Sequence, residues 1–451
     1  MATTAVPARA AARPAPLLRG FRFELVKLLS QWRIRLLVLA CWIVPAVFVA
    51  AVGQQSALPS DTLFGRSMHA TGWAGSLVVL GFSGTWALPL LTALVAGDVF
   101  AVEDRLGTWR HLLVTVRSPR RIFAAKSLAS LVVLLMMVVG LAASGIAGGL
   151  LAAGDRPLLG LDGHQLGRAD AATTVLLAWL CVLAPTLAFA AVGLLGSIAL
   201  GRSPMGLLMP ALLALALQLV QLLPLPVAVR FALPSYTFLA WRGLFVQPAP
   251  VAPLVIGIVA SLAWALAAAA LAYRLFLRRD FTDLAYDGSG RRVLLAGLLP
   301  LMALLGLSVG TIAAGTGATG SGIDRAKLQG SLATTYAHLY VVQFRELGRP
   351  AVTEAQIRAT ASCDKGGSRV VDEGPGNDWR CVVTWHLPGV KAVGTATYQL
   401  DVTADGRYVA DGDGPKSVNG YFPVPTPTGD APNPLWQFDG TVDLLPSPPK
   451  G

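Results

Sequence analysis

The chain has 451 residues, 54% of them hydrophobic and 14% charged, with a mean hydropathy of +0.60 and a net charge of +11. Soluble domains are about 25% charged, so the composition excludes an ordinary water-soluble globule. The charge is also uneven: residues 1–320 hold 24 Lys/Arg against 11 Asp/Glu, and residues 321–451 hold 12 against 14. The basic half is the apolar half, which fits cationic loops beside a membrane and excludes the clustered basic face of a nucleic-acid binder.

In chain order, residues 1–15 are rich in Ala and Pro and predict a disordered cytoplasmic tail. A secretory signal is not expected, because the first apolar run begins about 35 residues in. Residues 16–35 are amphipathic: Leu17, Phe21, Leu25, Leu28 and Trp32 recur at helical spacing, with Arg19, Arg22, Lys27, Arg33 and Arg35 on other faces. This is an interfacial helix, with Phe21, Leu25 and Trp32 toward lipid and Arg19 near lipid phosphates, or a cytosolic extension of the first span. Apolar runs at 36–53, 72–100, 123–153, 172–200, 206–223, 252–277 and 293–314 predict seven membrane spans. Each lacks the polar face that a buried helix of a soluble core carries. The proline-rich stretch 224–251 predicts short interfacial or re-entrant helices. Small residues in Gly145–Gly149 allow close helix packing or are ordinary membrane glycine.

Orientation follows the cations. The N-terminus through Arg35, the loop 101–126 (Arg105, Arg110, Arg117, Arg120, Arg121, Lys126) and the loop 274–292 (Arg274, Arg278, Arg279, Arg291, Arg292) are cationic and should be cytoplasmic. Loops 54–71 and 154–171 are not, and should lie outside. Seven spans with an inner N-terminus put the C-terminal part outside. Residues 315–323 form a Gly-rich linker, and 324–421 an extracytoplasmic α+β domain. That domain should hold a helix over 324–346, a strand WRCVVTWHL at 379–387 and a hairpin turning at Ala404-Asp405-Gly406. Residues 422–451 are Pro-rich and predict an extended or mobile tail. Cys363 and Cys381 share the outer domain, where an oxidising compartment permits a disulfide. An inverted orientation would leave two free thiols. A metal site is not expected, since CxxC is absent and His386 alone completes no ligand set.

No GxxxxGK[ST] motif occurs, and GTGATGSG at 315–322 lacks the phosphate-binding lysine. ATP hydrolysis by that route is excluded, and neither HExxH nor GxSxG is present. The chain is therefore expected not to be an enzyme and to bind no cofactor of its own. Acidic residues are nearly absent from span centres, which argues against an ion-coupled carrier. Between the second and third apolar runs lies AVEDRLGTWRHLLVTVRSPRRIFAAK, residues 101–126, nine of whose 26 residues are charged or His. Leu106, Trp109, Leu112 and Leu113 recur at helical spacing, punctuated by Gly107 and Pro119. The stretch is either a short amphipathic surface helix that a cytosolic protein grips or a solvated loop whose cations set topology.

Glu103, Gly107-Thr108, Leu112-Leu113, Ser118-Pro119-Arg120-Arg121 and Lys126 together resemble the signature after the second span of type-2 ATP-binding-cassette (ABC) exporter permeases. Trp109-Arg110-His111-Leu112-Leu113 is similar to the variant in lantibiotic and related peptide-antibiotic immunity permeases. The resemblance covers about residues 17–280: an amphipathic entry helix, six spans (36–280) and a broken segment between spans five and six. Val114 before Thr115, a late Pro119, the loop and seventh span at 281–314 and the outer domain depart from the six-span pattern. The resemblance implies a helical polytopic permease working as a homodimer or heterodimer, with ATP and Mg in a separate ABC ATPase subunit beneath it. It also implies an ATPase-coupling site at Glu103, Asp104, Gly107, Thr108, Arg110, Arg117, Pro119, Arg120 and Lys126. The Ala/Gly/Arg/Leu-heavy composition suits a high-GC bacterium, hence a bacterial plasma membrane. The alternative is a membrane-anchored sensor or assembly protein that works through its outer domain.

Overall fold

An apolar run placed in lipid must satisfy every N–H and C=O within itself, and the α-helix is how one segment does so. The computed structural model describes residues 16–55, 62–200, 205–279, 281, 291, 294–318, 320–366 and 370–445. The expected tail 1–15, most of the loop 280–293 with Arg292, and residues 446–451 lie outside the described residues. Helix α1 (Leu17–Ser30) ends where Gln31 turns extended, and α2 (Trp32–Val52) begins at once. The next passage is segmented into α3 (Gly72–Phe82), a π-helical turn Ser83–Ala87, α4 (Leu88–Ala96) and α5 (Ala101–Leu106). A short α6 (Trp109–Val116) leads to the 35-residue α7 (Pro119–Ala153). Then come α8 (Arg168–Cys181), α9 (Leu183–Leu200), α10 (Met205–Leu222), the short α11 (Val227–Phe231) and α12 (Pro234–Ala240), α13 (Val251–Leu277) and α14 (Leu299–Thr316).

Among the described residues, six stretches are long and apolar enough to cross a bilayer: Trp32–Val52, Gly72–Leu106, Pro119–Ala153, Arg168–Leu200, Val251–Leu277 and Leu299–Thr316. Helix α10, with 18 residues, is a further apolar helix. Hydrogen bonds sort the helix termini into two ends. At one end Ser197 Oγ accepts from the N–H groups of Phe100 and Ala101 (3.1 and 2.9 Å), which brings the close of α9 to the start of α5. At the other, Gly72 N–H donates to Gly154 O (2.9 Å) and Arg230 donates to Gln221 O and Leu223 O just past α10 (2.8 and 2.6 Å). Helix α10 thus runs from the first end to the second, as the polypeptide does from α9 to α11.

Helices α3 and α7 meet backbone to backbone. A Cβ built on Gly149 would lie 2.0 Å from Gly72 O, and one on Gly148 2.5 Å from Ala46 Cα. The Gly145–Gly149 stretch therefore does allow close packing, as small residues do between helices in lipid.

At the second end sits the C-terminal domain. Helix α15 (Arg325–Glu346), capped by Asp324 Oδ1 accepting from Lys327 N (2.9 Å), packs Leu328, Leu332, Tyr336 and Leu339 onto a sheet. The strands are β3 (Thr360–Lys365), β4 (Gly376–His386), β5 (Val393–Val402), β6 (Arg407–Gly414) and β9 (Gln437–Thr441), antiparallel in that order. Cys363 and Cys381 face each other across β3 and β4 and are bonded. A small hairpin of β1 (Leu158–Leu159) and β2 (Gln165–Leu166) projects from the helical body.

Two expectations need correction. Residues 422–445 are not a loose tail: β7 (Pro423–Thr426) and β8 (Gly429–Pro432) form a hairpin, β9 is the fifth strand, and Leu435, Phe438, Val442 and Leu444 are buried. The prolines cluster in the hairpin, where a missing N–H costs little, and 435–445 contains none. The Gly-rich stretch 315–323 is also docked: Val227 N–H donates to Gly320 O (2.9 Å), and Ala318 and Ile323 are buried.

The domain is fastened to the helical body by cations. Arg66 reaches Asp439 (3.2 Å), Arg230 donates to Ala404 O, and Arg242 pairs with Asp405. Burial alone would push the Asp405 carboxyl up, but the Arg242 guanidinium beside it, with bonds from Thr403 and Arg407 N–H, outweighs that and holds it at about 2. The unfolded value is about 3.9, so the depressed carboxyl adds stability that is full above about pH 4 and is lost as pH falls through about 2. The shift corresponds to roughly 2 kcal/mol. Asp405→Asn should raise hydrogen exchange at 403–407 at pH 7, with the difference from wild type closing between about pH 4 and 2. Gly149→Val should cost about 1–3 kcal/mol of thermal stability in detergent by overpacking. Gly306→Ala, where a Cβ meets nothing within 4 Å, should be neutral.

Candidate functional site

The stretch after the second passage is built by its helix breakers. Gly107 takes a left-handed conformation (φ +64°) and closes α5, a position where a side chain would be strained. Thr108 starts α6, Arg117 ends it, and Pro119 occupies the first turn of α7, where its lost N–H has no helical partner to miss. Because the turn at Gly107 resets the helical phase, Leu106 does not join the apolar face expected for it. Leu106 is 64% exposed, while Trp109 and Leu112 are buried.

Glu103 and Asp104 are adjacent, buried and bonded in different directions. Glu103 accepts from Lys126 Nζ of α7 (2.7 Å), from Lys27 Nζ of α1 and from the Thr108 hydroxyl. Lys126, 1% exposed, is also held by Glu24 Oε2 of α1 (2.9 Å) and lies 3.4 Å from Val99 O. Two carboxylates and two ammonium groups thus form one balanced cluster that joins α1, α5 and α7. A buried ion unpaired would cost several kcal/mol, and mutual pairing is what makes this burial tolerable.

Asp104 looks toward α13. It accepts a two-pronged bond from Arg279, with Nη1 at 2.9 Å from Oδ2 and Nη2 on Oδ1, and a third from Trp109 Nε1 (2.6 Å). The paired geometry matches the guanidinium fork to the carboxylate. The Arg279 guanidinium lies over the Trp109 ring, 5.5 Å from its centroid. Beneath it Phe100, Phe123 and Phe276 pack with Trp109, with Phe100 and Phe276 centroids 5.2 Å apart. Phe100, Phe123 and Phe276 come from three different passages, so this aromatic plug joins them directly under α6.

The residues singled out from sequence therefore divide. Glu103, Asp104 and Lys126 are buried in internal bonds and offer no charge to an outside protein. Gly107, Thr108 and Pro119 shape the backbone. Arg110, Arg117 and Arg120 are exposed, alongside His111 and Val114, the last 70% exposed. In α1, Phe21 and Leu25 are half-buried against the helical body instead of facing outward, because Glu24 and Leu28 on the same face are drawn inward. The most exposed apolar residues there are Leu18, Phe23 and Val26, with Leu17 less so, while Arg19 and Trp32 stay exposed. Sequence reasoning missed Glu24 and Arg279 as partners. The available signal was an acid on the apolar side of a basic amphipathic helix.

Lys126→Met strands Glu24 without the ammonium that holds it, and should lower stability in detergent by about 3–5 kcal/mol. Adding Glu24→Gln should recover part of the loss, which thermal unfolding of the single and double variants measures.

Residues 21–159 match the family whose description is ABC-2 family transporter protein. The matched segment runs from α1 through α7 to β1 and contains all four members of the charge cluster. No curated protein matches the chain. Over residues 21–159 the chain is similar to ABC-2 family transporter proteins.

Proposed function

We propose that the chain is the permease subunit of an ABC exporter. It moves a hydrophobic or amphipathic substrate (a drug, a peptide antibiotic or a lipid) across a bacterial plasma membrane. ATP and Mg2+ are bound and hydrolysed in a separate ATPase chain, and two permease chains, alike or different, work as a pair. All seven long apolar helices cross the bilayer, with α1 and residues 101–126 in the cytoplasm and the sheet domain outside. Two features support this orientation. Cations crowd the end that holds α1 and α6, as inner loops do. The bonded Cys363–Cys381 pair at the opposite end suits an oxidising compartment.

The observation that carries the reading is the buried bonding of Glu103 and Asp104. Helix α6 presents an outer face to water, and its root is tied by charge to α1, α7 and the end of α13. A force on that face cannot be absorbed by a floppy loop and reaches three passages at once. An ATPase whose nucleotide-bound form favours one arrangement of these passages shifts their populations, and transport follows without covalent chemistry in this chain.

The test pairs this chain with a candidate ABC ATPase subunit, reconstituted in vesicles. Glu103→Gln keeps the shape but removes the charge, and charge-assisted bonds are worth about 1.5–3 kcal/mol. Transport per ATP hydrolysed should fall roughly tenfold while ATP hydrolysis and membrane insertion persist. Unchanged transport would refute the coupling role. A second reading, a membrane-anchored sensor or assembly protein, draws on the docked sheet domain. Deleting residues 315–451 separates the two: an exporter keeps ATPase stimulation by this chain, and a sensor loses its function outright.

A further inference from the structure

We propose that His338 is a proton-operated clamp between the sheet domain and the β1–β2 hairpin of the helical body. His338 lies on α15, 8% exposed, with its ring between two segments. Its Nδ1 is 2.6 Å from the peptide oxygen of Asp162 at the hairpin tip, and its Nε2 is 3.0 Å from Glu354 Oε2, in the short helix α16 (Glu354–Ile357). Both partners can only accept. A neutral imidazole carries one N–H, so one nitrogen would turn its lone pair toward an oxygen. The imidazolium donates at both positions. A neutral ring can donate to the Asp162 peptide oxygen or to Glu354 but not to both, so the complete clamp needs a protonated ring.

Carboxylates flank the ring. Asp162 Oδ2 lies 3.7 Å from the same Nδ1. Burial would raise the Asp162 carboxyl, but its bonds from the His164 ring and from Gln247 N–H outweigh that and lower it, so it stays ionised. The charged or titratable groups facing His338 are Asp162 and His164 of the hairpin, with the His164 ring 6.4 Å away, and Glu354 of α16. Close approach is enforced by Gly163 (φ +77°), where a Cβ would lie 2.7 Å from Leu339. The other fastenings, Arg66–Asp439, Arg230–Ala404 O, Arg242–Asp405 and, on the hairpin itself, Arg345–Gln165 Oε1 (3.1 Å), hold no group that titrates near neutral pH. Acidification tightens this one attachment while the rest stay constant, and a rise in pH loosens the hairpin from the domain without detaching the domain.

Hydrogen exchange of the full chain in nanodiscs, corrected for intrinsic rates and recorded from pH 5 to 8.5, tests this. Wild type should protect 158–166 several-fold more at pH 5.5 than at pH 8.5. His338→Gln, which donates a single set of bonds at any pH, should flatten that dependence, and His164→Gln should preserve it. Glu354→Gln alters an exposed carboxylate without threatening the fold, and should move the midpoint to lower pH. An undiminished pH response in His338→Gln, an unmoved midpoint in Glu354→Gln, or a response abolished only by His164→Gln overturns the proposal.

Discussion

The architecture rests on one ammonium group kept out of water. Lys126 begins the longest helix of the chain, and its charge is resolved only by Glu24 and Glu103, which come from two other elements. Neither carboxylate is dispensable, because the second Glu103 contact, Lys27, lies on the same helix as Glu24. The four charges close a loop between α1, α5 and α7 that sums to zero. Buried ion pairs are weak sources of net stability but strong penalties against misplacement. Their use here is geometric: they specify where an amphipathic surface helix must lie against a membrane helix. Hydrophobic contact alone would let the two slide.

The same logic operates with a different partner set at the opposite end. The sheet domain is held by three arginines of the helical body, two on carboxylates and one on a peptide oxygen. Arg230 also caps the end of α10 through Gln221 O and Leu223 O, so the terminus of that helix and the seating of the domain share one side chain. In the folded protein the Asp405 carboxyl keeps its charge until pH falls toward about 2, whereas the complete set of His338 contacts requires a proton. The attachment is therefore most complete in mildly acidic water, with one tie lost on either side for different reasons.

Much of this was legible in the residues. Apolar runs gave the helices to within a few positions, because length and hydropathy are all a lipid-facing helix needs. The α15 stripe and the Asp405-Gly406 turn followed from periodicity and turn chemistry, and the bonded cysteines from the oxidising compartment expected for their domain. The partners of Glu103 and Asp104 were not legible, since Lys126, Lys27 and Arg279 stand 23, 76 and 175 positions away from them and no local pattern encodes such distances. The lipid-facing side of α1 was misjudged for a related reason. Its most regular apolar stripe, Phe21, Leu25 and Leu28, was spent on protein contact, leaving the less regular Leu18, Phe23 and Val26 outward. Composition hid β9, because prolines on both sides of it drowned a short alternation.

The two ends differ in how they hold their charges, and that difference bears on function. At the α6 end the carboxylates are buried, paired and framed by Phe100, Phe123, Phe276 and Trp109, so a displacement there must move as a block. At the domain end the ties are distributed over the loop after α2, the β1–β2 hairpin and the segment after α10, each fastened by its own side chain. A rigid joint suits an input that must be passed on without loss. Separate fastenings suit a cover whose underlying segments shift relative to one another, because one tie can yield while the others keep the domain in place.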